Sequence, residues 1–415
     1  MSLSPHTKDS PIEIELAAPP RWTYAPGDTI IGSVIRWEPI ATPEATVKVS
    51  FKGRVKTKLH VPTSAGQRSA TYRDSRSLIG CLQGQIYHGP LHLPEGQETP
   101  LSWPFELDIP RRPVTNVRER DFPDKYFGLL DRDILSQQIL PPSFFWINFD
   151  LSMEFKCLVE YHLEAEIRYL HGGRFTTFTS TVAINVRHPP ASTVLRNPEI
   201  RKIQRKRELR SHRLIPDMEH QDLTFKQKTK RRFSLVSDPH FGYNVHFDVP
   251  TVIQLNSQSP IPVTFNISPE PNSTSVEILD IPRTVRLDWV KAVVHSMTRI
   301  KTQGFRDHCG THSIDHNLRF EEFFKNLDAP IMFPVQYGNQ PVSLGEMFHV
   351  FIESNAINIL GQRRSLVGTI FPDFITYNMA HTHSISWELS LTVAGETQTV
   401  KMDTRLKILP EYSNI

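Results

Sequence analysis

The densest group of reactive side chains in this 415-residue chain is Asp307-His308-Cys309-Gly310-Thr311-His312-Ser313-Ile314-Asp315-His316, three imidazoles and a thiol within nine positions. Zinc accepts such ligands, and with a bound water it would make a metal hydrolase of His308, Cys309, His312 and His316. Gly310 and the polar, non-periodic residues around it read instead as an exposed loop between two strands. Histidines at that spacing need not converge in a loop, so no metal site is expected. His381 and His383 alternate onto one face of a strand entry with no third ligand beside them.

A second group is basic. Residues 201–232 hold twelve Lys/Arg against four Asp/Glu, although the whole chain carries only +3. Arg205, Lys206, Arg207 and Arg210 are its candidate contacts with anionic lipid headgroups. No Phe, Tyr or Trp interleaves residues 201–213, which argues against nucleic acid, since single strands bind on aromatic stacking platforms. The ordinary reading of such a run is a solvated linker. At its end, Arg231-Arg232-Phe233-Ser234 sets arginines two and three residues before a serine, the spacing that basophilic kinases use. Phosphorylation of Ser234 would add up to about two negative charges among cations; the same serine also suits the first strand of a second lobe.

The third group is Leu409-Pro410-Glu411-Tyr412, just past the last expected strand. An extended proline-containing segment with a tyrosine two residues on suits the aromatic groove of a WW domain, which exploits polyproline II geometry. Pro410 would lay its ring in the groove, Tyr412 would fill the neighbouring pocket, and Leu409 stands where the usual first proline would be. The tail, residues 409–415, is read as accessible. No catalytic motif accompanies these groups: there is no G-x-S-x-G, H-E-x-x-H, phosphate-cradling G-x-x-x-x-G-K-[ST] or G-x-G-x-x-G after a strand. Neither an enzyme nor a cofactor is expected.

The elements that must position these residues are strands. Ile12-Glu13-Ile14-Glu15-Leu16 alternates apolar and charged residues. Tyr24-Ala25-Pro26-Gly27-Asp28 supplies a turn into residues 29–37, and residues 45–60 continue the period of two with a bend at Gly53. Strands follow at 102–109, 153–168 and 174–186, the last two joined at His171-Gly172-Gly173 as a tight hairpin. Residues 110–149 break the pattern and read as a long connection with one short helix. Beyond the basic run, strand character resumes at 233–236 and recurs at 243–249, 263–267, 285–297, 348–352, 366–377, 384–393 and 397–408.

An apolar fraction of 39% with 33 prolines against 19 glycines suits a globular β protein with a real core. The length suits two domains. The boundaries read from the pattern are an N-terminal lobe at 1–190, the linker at 191–232, a C-terminal lobe at 233–408 and the tail at 409–415. Cys81, Cys157 and Cys309 are too few and too scattered for a disulfide framework, which fits a reducing compartment. Without a signal-like N-terminus or an apolar run of membrane-spanning length, a cytoplasmic protein is expected.

Several segments together resemble the α-arrestin family, particularly the arrestin-like proteins of filamentous fungi. In the first half they are residues 24–34 (YAPGDTIIGSV), 43–54 (PEATVKVSFKGR), Gly89-Pro90-Leu91-His92-Leu93-Pro94, Trp103-Pro104-Phe105, Leu140-Pro141-Pro142-Ser143-Phe144 and Val159-Glu160-Tyr161-His162-Leu163. In the second half they are Ile278-Leu279-Asp280-Ile281-Pro282 and Phe371-Pro372-Asp373-Phe374 leading to Trp387-Glu388-Leu389. The resemblance implies an all-β fold of two tandem arrestin-type, immunoglobulin-like β-sandwich lobes. It also implies an adaptor that links the cytosolic tails of membrane transporters or receptors to a WW-domain HECT-type ubiquitin ligase for endocytosis, with transient recruitment to the plasma membrane or endosomes. The usual P-P-x-Y handle is missing: Pro19-Pro20-Arg21-Trp22 and Pro141-Pro142-Ser143-Phe144 lack the tyrosine, which leaves Leu409, Pro410 and Tyr412. The alternative is an arrestin-fold scaffold in signalling or retromer-like sorting that recruits no ligase.

Overall fold

A computed structural model describes residues 10–61, 69–114, 139–150, 153–216, 218, 238–302, 308–325 and 327–412. Strands take 63% of the described residues and helices 5%, so the fold is all-β, in two sheet-rich halves that form two β-sandwich lobes. The expected strand at 233–236, Ser234 with it, lies outside the described residues, as do residues 115–138 of the connection expected at 110–149, whose last residues belong instead to the strand Phe144–Asp150. Among those described, no helix is long and apolar enough to cross a membrane.

The chain divides into two compact units that are not contiguous in sequence. Unit 1 is Met1–Pro190 with Thr298–His312 and Phe374–His381; unit 2 is Ala191–Met297, Ser313–Asp373 and Thr382–Ile415. Unit 1 holds a three-stranded antiparallel sheet in the order Ile12–Leu16, Thr29–Arg36, Leu101–Asp108. Its six-stranded sheet runs Thr23–Tyr24, Arg174–Val186, Met153–His171, Ile40–Val61, Ala70–Leu93, and Phe144–Asp150 also pairs with Met153–His171.

Alternation explains these strands. In Met153–His171 the residues Phe155, Cys157, Val159, Tyr161, Leu163, Ala165 and Ile167 are buried, and the residues between them face outward. Outward Glu164, Glu160 and Glu154 pair across the strand with Lys52 at 2.6 Å, Lys56 at 2.7 Å and Lys58 at 2.9 Å. Burial pushes the Glu160 carboxyl up, but hydrogen bonds from Lys56 and Arg54 outweigh it and hold the group below the usual carboxylate range. The bend expected at Gly53 is a bulge, with register shifts on either side of that residue. Its backbone lies under the Tyr161 ring, where a Cβ would come within 2.6 Å. The expected hairpin forms at Gly172 and Gly173, both at positive φ, between paired His171 and Arg174.

Unit 2 faces two sheets across one core. The four-stranded antiparallel sheet is ordered Ile200–Arg210, His240–Pro250, Thr264–Pro269, Val342–Ser343. The opposing sheet is ordered Val252–Gln254, Glu396–Leu409, Met379–Val393, Thr284–Thr302, His308–Asn317, and the ends of its last three strands belong to unit 1. Phe247 from the first sheet meets Trp387 of the second edge to face at 5.2 Å and Phe265 of its own sheet at 6.4 Å.

Two expectations are corrected here. Within the segment read as a solvated linker, residues 200–210 form a full strand, paired residue for residue with His240–Pro250. The pairing buries Ile203 and Leu209. The histidine segment read as an exposed loop is the strand His308–Asn317.

Candidate functional site

The terminal motif is built on strand Glu396–Leu409, which buries Val400, Met402, Leu406 and Ile408 on alternate positions and pairs antiparallel with Met379–Val393. At its end the strand changes partner. Lys407, Ile408 and Leu409 run parallel to Val252, Ile253 and Gln254. Leu255 N donates to Leu409 O at 3.1 Å, and Ala191 N donates to Glu411 O at 2.7 Å, making a parallel bridge between Ala191 and Tyr412. Asn256 Nδ2 donates to Glu411 Oε2 at 2.6 Å. Leu409, Pro410 and Tyr412 are half-buried. The accessible tail expected at 409–415 is therefore, for residues 409–412, a half-buried continuation of strand Glu396–Leu409.

One strand further in, Asp373 ties this end of the unit together. Its Oδ1 accepts from Ile408 N at 2.9 Å and from His383 Nδ1 at 2.6 Å, and its own N–H donates to Ile408 O at 3.0 Å. The segment after residue 190 is held in turn by Gln254, whose amide accepts from Leu195 N at 2.9 Å and donates to Thr193 O at 3.1 Å. Reading the sequence missed Ala191, Asn256 and Gln254, which fix the motif; no local pattern marks them, because the bonds span sequence separations of 59 to 220 residues.

The basic candidates sit on strand Ile200–Arg210. Arg205, Lys206 and Arg210 are exposed and Arg207 is half-buried. Arg210 pairs with Glu208 at 2.8 Å and Lys206 approaches Glu270 at 3.8 Å. Facing residues on the neighbouring strand put Arg205 opposite Val245 and Arg207 opposite Tyr243, on the core side of the sheet. Lys206 and Arg210 are on the other side, so the four cations do not share one surface.

The histidines do not converge. On a strand the rise is about 3.3 Å per residue, so ligands four positions apart are about 13 Å apart along it. His312 stacks on Trp146 with ring centroids 5.1 Å apart, and buried His316 bonds Ser296 through Nε2 at 2.9 Å. His381 Nδ1 meets Thr298 Oγ1 at 2.9 Å. Among the described residues, no group of three His, Cys, Asp or Glu is placed to hold a metal ion. Cys157 is buried, and desolvation raises its thiol pKa to about 12, so it carries no thiolate at neutral pH. Compared with known proteins, the chain matches no family model, and no curated protein is significantly similar to it in sequence.

Proposed function

We propose that the chain is an arrestin-like cytosolic adaptor that holds the cytosolic tails of membrane transporters or receptors and presents them to a WW-domain HECT-type ubiquitin ligase for endocytosis. The observation that carries the reading is the position of the L-P-x-Y motif at the end of strand Glu396–Leu409, where the strand runs out past the core. It is tied down by the hydrogen bonds from Leu255, Ala191 and Asn256 and does not belong to the hydrophobic core. Such a segment can detach without unfolding a lobe. These three hydrogen bonds at about 1 kcal/mol net each, with the further contacts of Glu411 and Tyr412, put the detached state at least about 3 kcal/mol above the docked one. The affinity of a partner that needs the detached state is then lowered at least about a hundredfold. The handle works when the segment is released and is silent otherwise.

The second reading, a signalling or sorting scaffold with the arrestin fold and no ligase, is favoured by the same docking, since a motif used as a strand extension has a structural reason to exist. Pulldown of the full chain on an array of WW domains separates the two. Under the adaptor reading the wild type binds weakly, Asn256→Ala binds more tightly because the docked state has lost a tie, and Tyr412→Ala does not bind. Binding that ignores Tyr412, or none in any variant, leaves the scaffold.

A further inference from the structure

We infer that strand Ile200–Arg210 is a docking edge for an extended acidic polypeptide segment, which adds to the four-stranded sheet of unit 2 as a further strand. The inference does not depend on a ligase or on the terminal motif. It starts from the phase of the ladder. Thr251 N donates to Glu199 O at 2.9 Å and Ser211 N to Pro239 O at 3.3 Å, just beyond the two ends of the unbroken register between Ile200–Arg210 and His240–Pro250. Hydrogen-bonded pairs in an antiparallel ladder recur every second residue. The odd residues from Arg201 to Leu209 therefore spend their backbone groups on the neighbouring strand. Ile200, Lys202, Gln204 and Lys206 turn theirs to the outer side.

That outer side has no strand partner among the described residues, since Ile200–Arg210 ends its sheet. Its far end is closed: Gln398 Nε2 donates to Glu208 O at 3.0 Å, and Arg213 Nη1 donates to Gly395 O at 3.1 Å. The open length is residues 200–206, about 20 Å of strand, where the one described contact to an outer carbonyl is the long 3.5 Å approach of Arg205 Nη1 to Gln204 O. Arg201, Lys202 and Arg205 form no ion pair among the described residues.

The charges select the occupant. Cations directly opposite one another destabilise a strand pair, so a second copy of this edge is repelled, which is how many proteins guard an exposed edge. An acidic strand is attracted by the same charges. A bilayer fits less well, because Arg201 and Arg205 lie on one side of the sheet and Lys202 and Lys206 on the other, and a plane reaches one side at a time. Lipid headgroups also cannot satisfy a row of alternating N–H and C=O groups, whereas an extended backbone does so throughout. Cations on both sides call for a run of Asp and Glu in the partner, without a strict alternation.

The probe is a fluorescein-labelled nine-residue peptide of seven Glu and two Val, titrated into the full chain by anisotropy at low salt. Saturable binding is expected that weakens steeply with salt and is lost when alternate backbone nitrogens of the peptide are methylated. Gln204→Pro deletes one outward N–H and leaves the inner ladder intact, a position where an edge strand tolerates proline. It is expected to weaken the peptide at least about tenfold while the thermal unfolding temperature stays within a few degrees; Arg201→Gln with Lys202→Gln and Arg205→Gln removes the salt dependence. The proposal is overturned by no saturable binding, by equal binding of the methylated peptide, or by a folded Gln204→Pro protein that binds as the wild type does. It is equally overturned if phosphatidylserine vesicles bind and the peptide does not compete, or if the edge is occupied by a second copy in a dimer that the peptide leaves intact.

Discussion

The histidines show how far residue types alone mislead. Their spacing suggests a ligand set, yet His312 stacks on Trp146 and His316 bonds Ser296, while other imidazoles are bound elsewhere, His295 to Asp315 at 2.6 Å and Ser386 at 2.7 Å and His383 to Asp373. Burial is the main force on His316 and lowers its pKa; a backbone hydrogen bond at Val367 and the charge of Asp315 act against it, and His383 and His295 act with it; burial also lowers His312. A histidine kept neutral in the fold contributes its full share of stability above its unfolded pKa of about 6.5. Below that pH the unfolded chain takes up a proton that the native state refuses, so stability falls as the solution is acidified. Thermal unfolding followed at pH 7.5 and pH 5 is expected to show a clear drop in Tm for the wild type. His316→Gln, which keeps a donor for Ser296 and removes the titration, is expected to show a smaller one. Equal drops would mean that acid acts elsewhere.

At the scale of elements, what was legible depended on how many faces of a strand are buried. Residues 153–168 were recognisable because every second side chain from Phe155 to Ile167 enters the core. Strand Ile200–Arg210 buries only Ile203 and Leu209, and it places Arg201, Arg205 and Arg207 at the core-side positions where a pattern search wants apolar residues. Its charge density therefore reads as a linker, although an edge strand needs only one partner and little core. The long strand Ala70–Leu93 was missed for a related reason, its polar sequence being supported by pairing with Ile40–Val61 rather than by a continuous apolar face. Hydrogen exchange tests the phase of the basic strand directly. The amides of Arg201, Ile203, Arg205, Arg207 and Leu209 are expected to exchange slowly, and those of Lys202, Gln204 and Lys206 at least about a hundredfold faster, since a bonded amide exchanges only through local opening. Uniformly fast exchange across 200–210 would restore the linker reading for this segment.

At the scale of the whole molecule, no local pattern could reveal that unit 1 is completed by residues from the second half of the sequence. Within that unit Asn378 Nδ2 donates to Thr57 Oγ1 at 3.2 Å and Asp74 Oδ2 at 3.3 Å, and Thr57 Oγ1 donates to Lys301 O at 3.0 Å. Phe144 packs against Phe374 and His381, each with centroids 5.3 Å away. Gly310 lies so near Leu59 and Phe155 that a Cβ would come within 3.0 Å of both. Residues 1–190 alone lose all of these. The fragment leaves Phe144, Leu59 and Phe155 without part of their cover and buried Thr57 without its acceptor on Lys301, while Asp74 keeps its ion pair with Arg76 at 3.2 Å. Buried hydrogen bonds and aromatic pairs at about 1 kcal/mol each, with the added cost of orphaned polar groups, amount to several kcal/mol. That is a large part of the roughly 5–15 kcal/mol by which a domain is stable. The fragment 1–190 is therefore expected to unfold at least about 10 °C below the full chain and to bind a hydrophobic dye such as ANS under native conditions. Co-expression with 191–415 should restore both properties, because the missing strand ends are then supplied in trans. A fragment as stable as the full chain and silent towards the dye would show that residues 298–312 and 374–381 add nothing to unit 1, and that the first half of the sequence folds as a domain on its own.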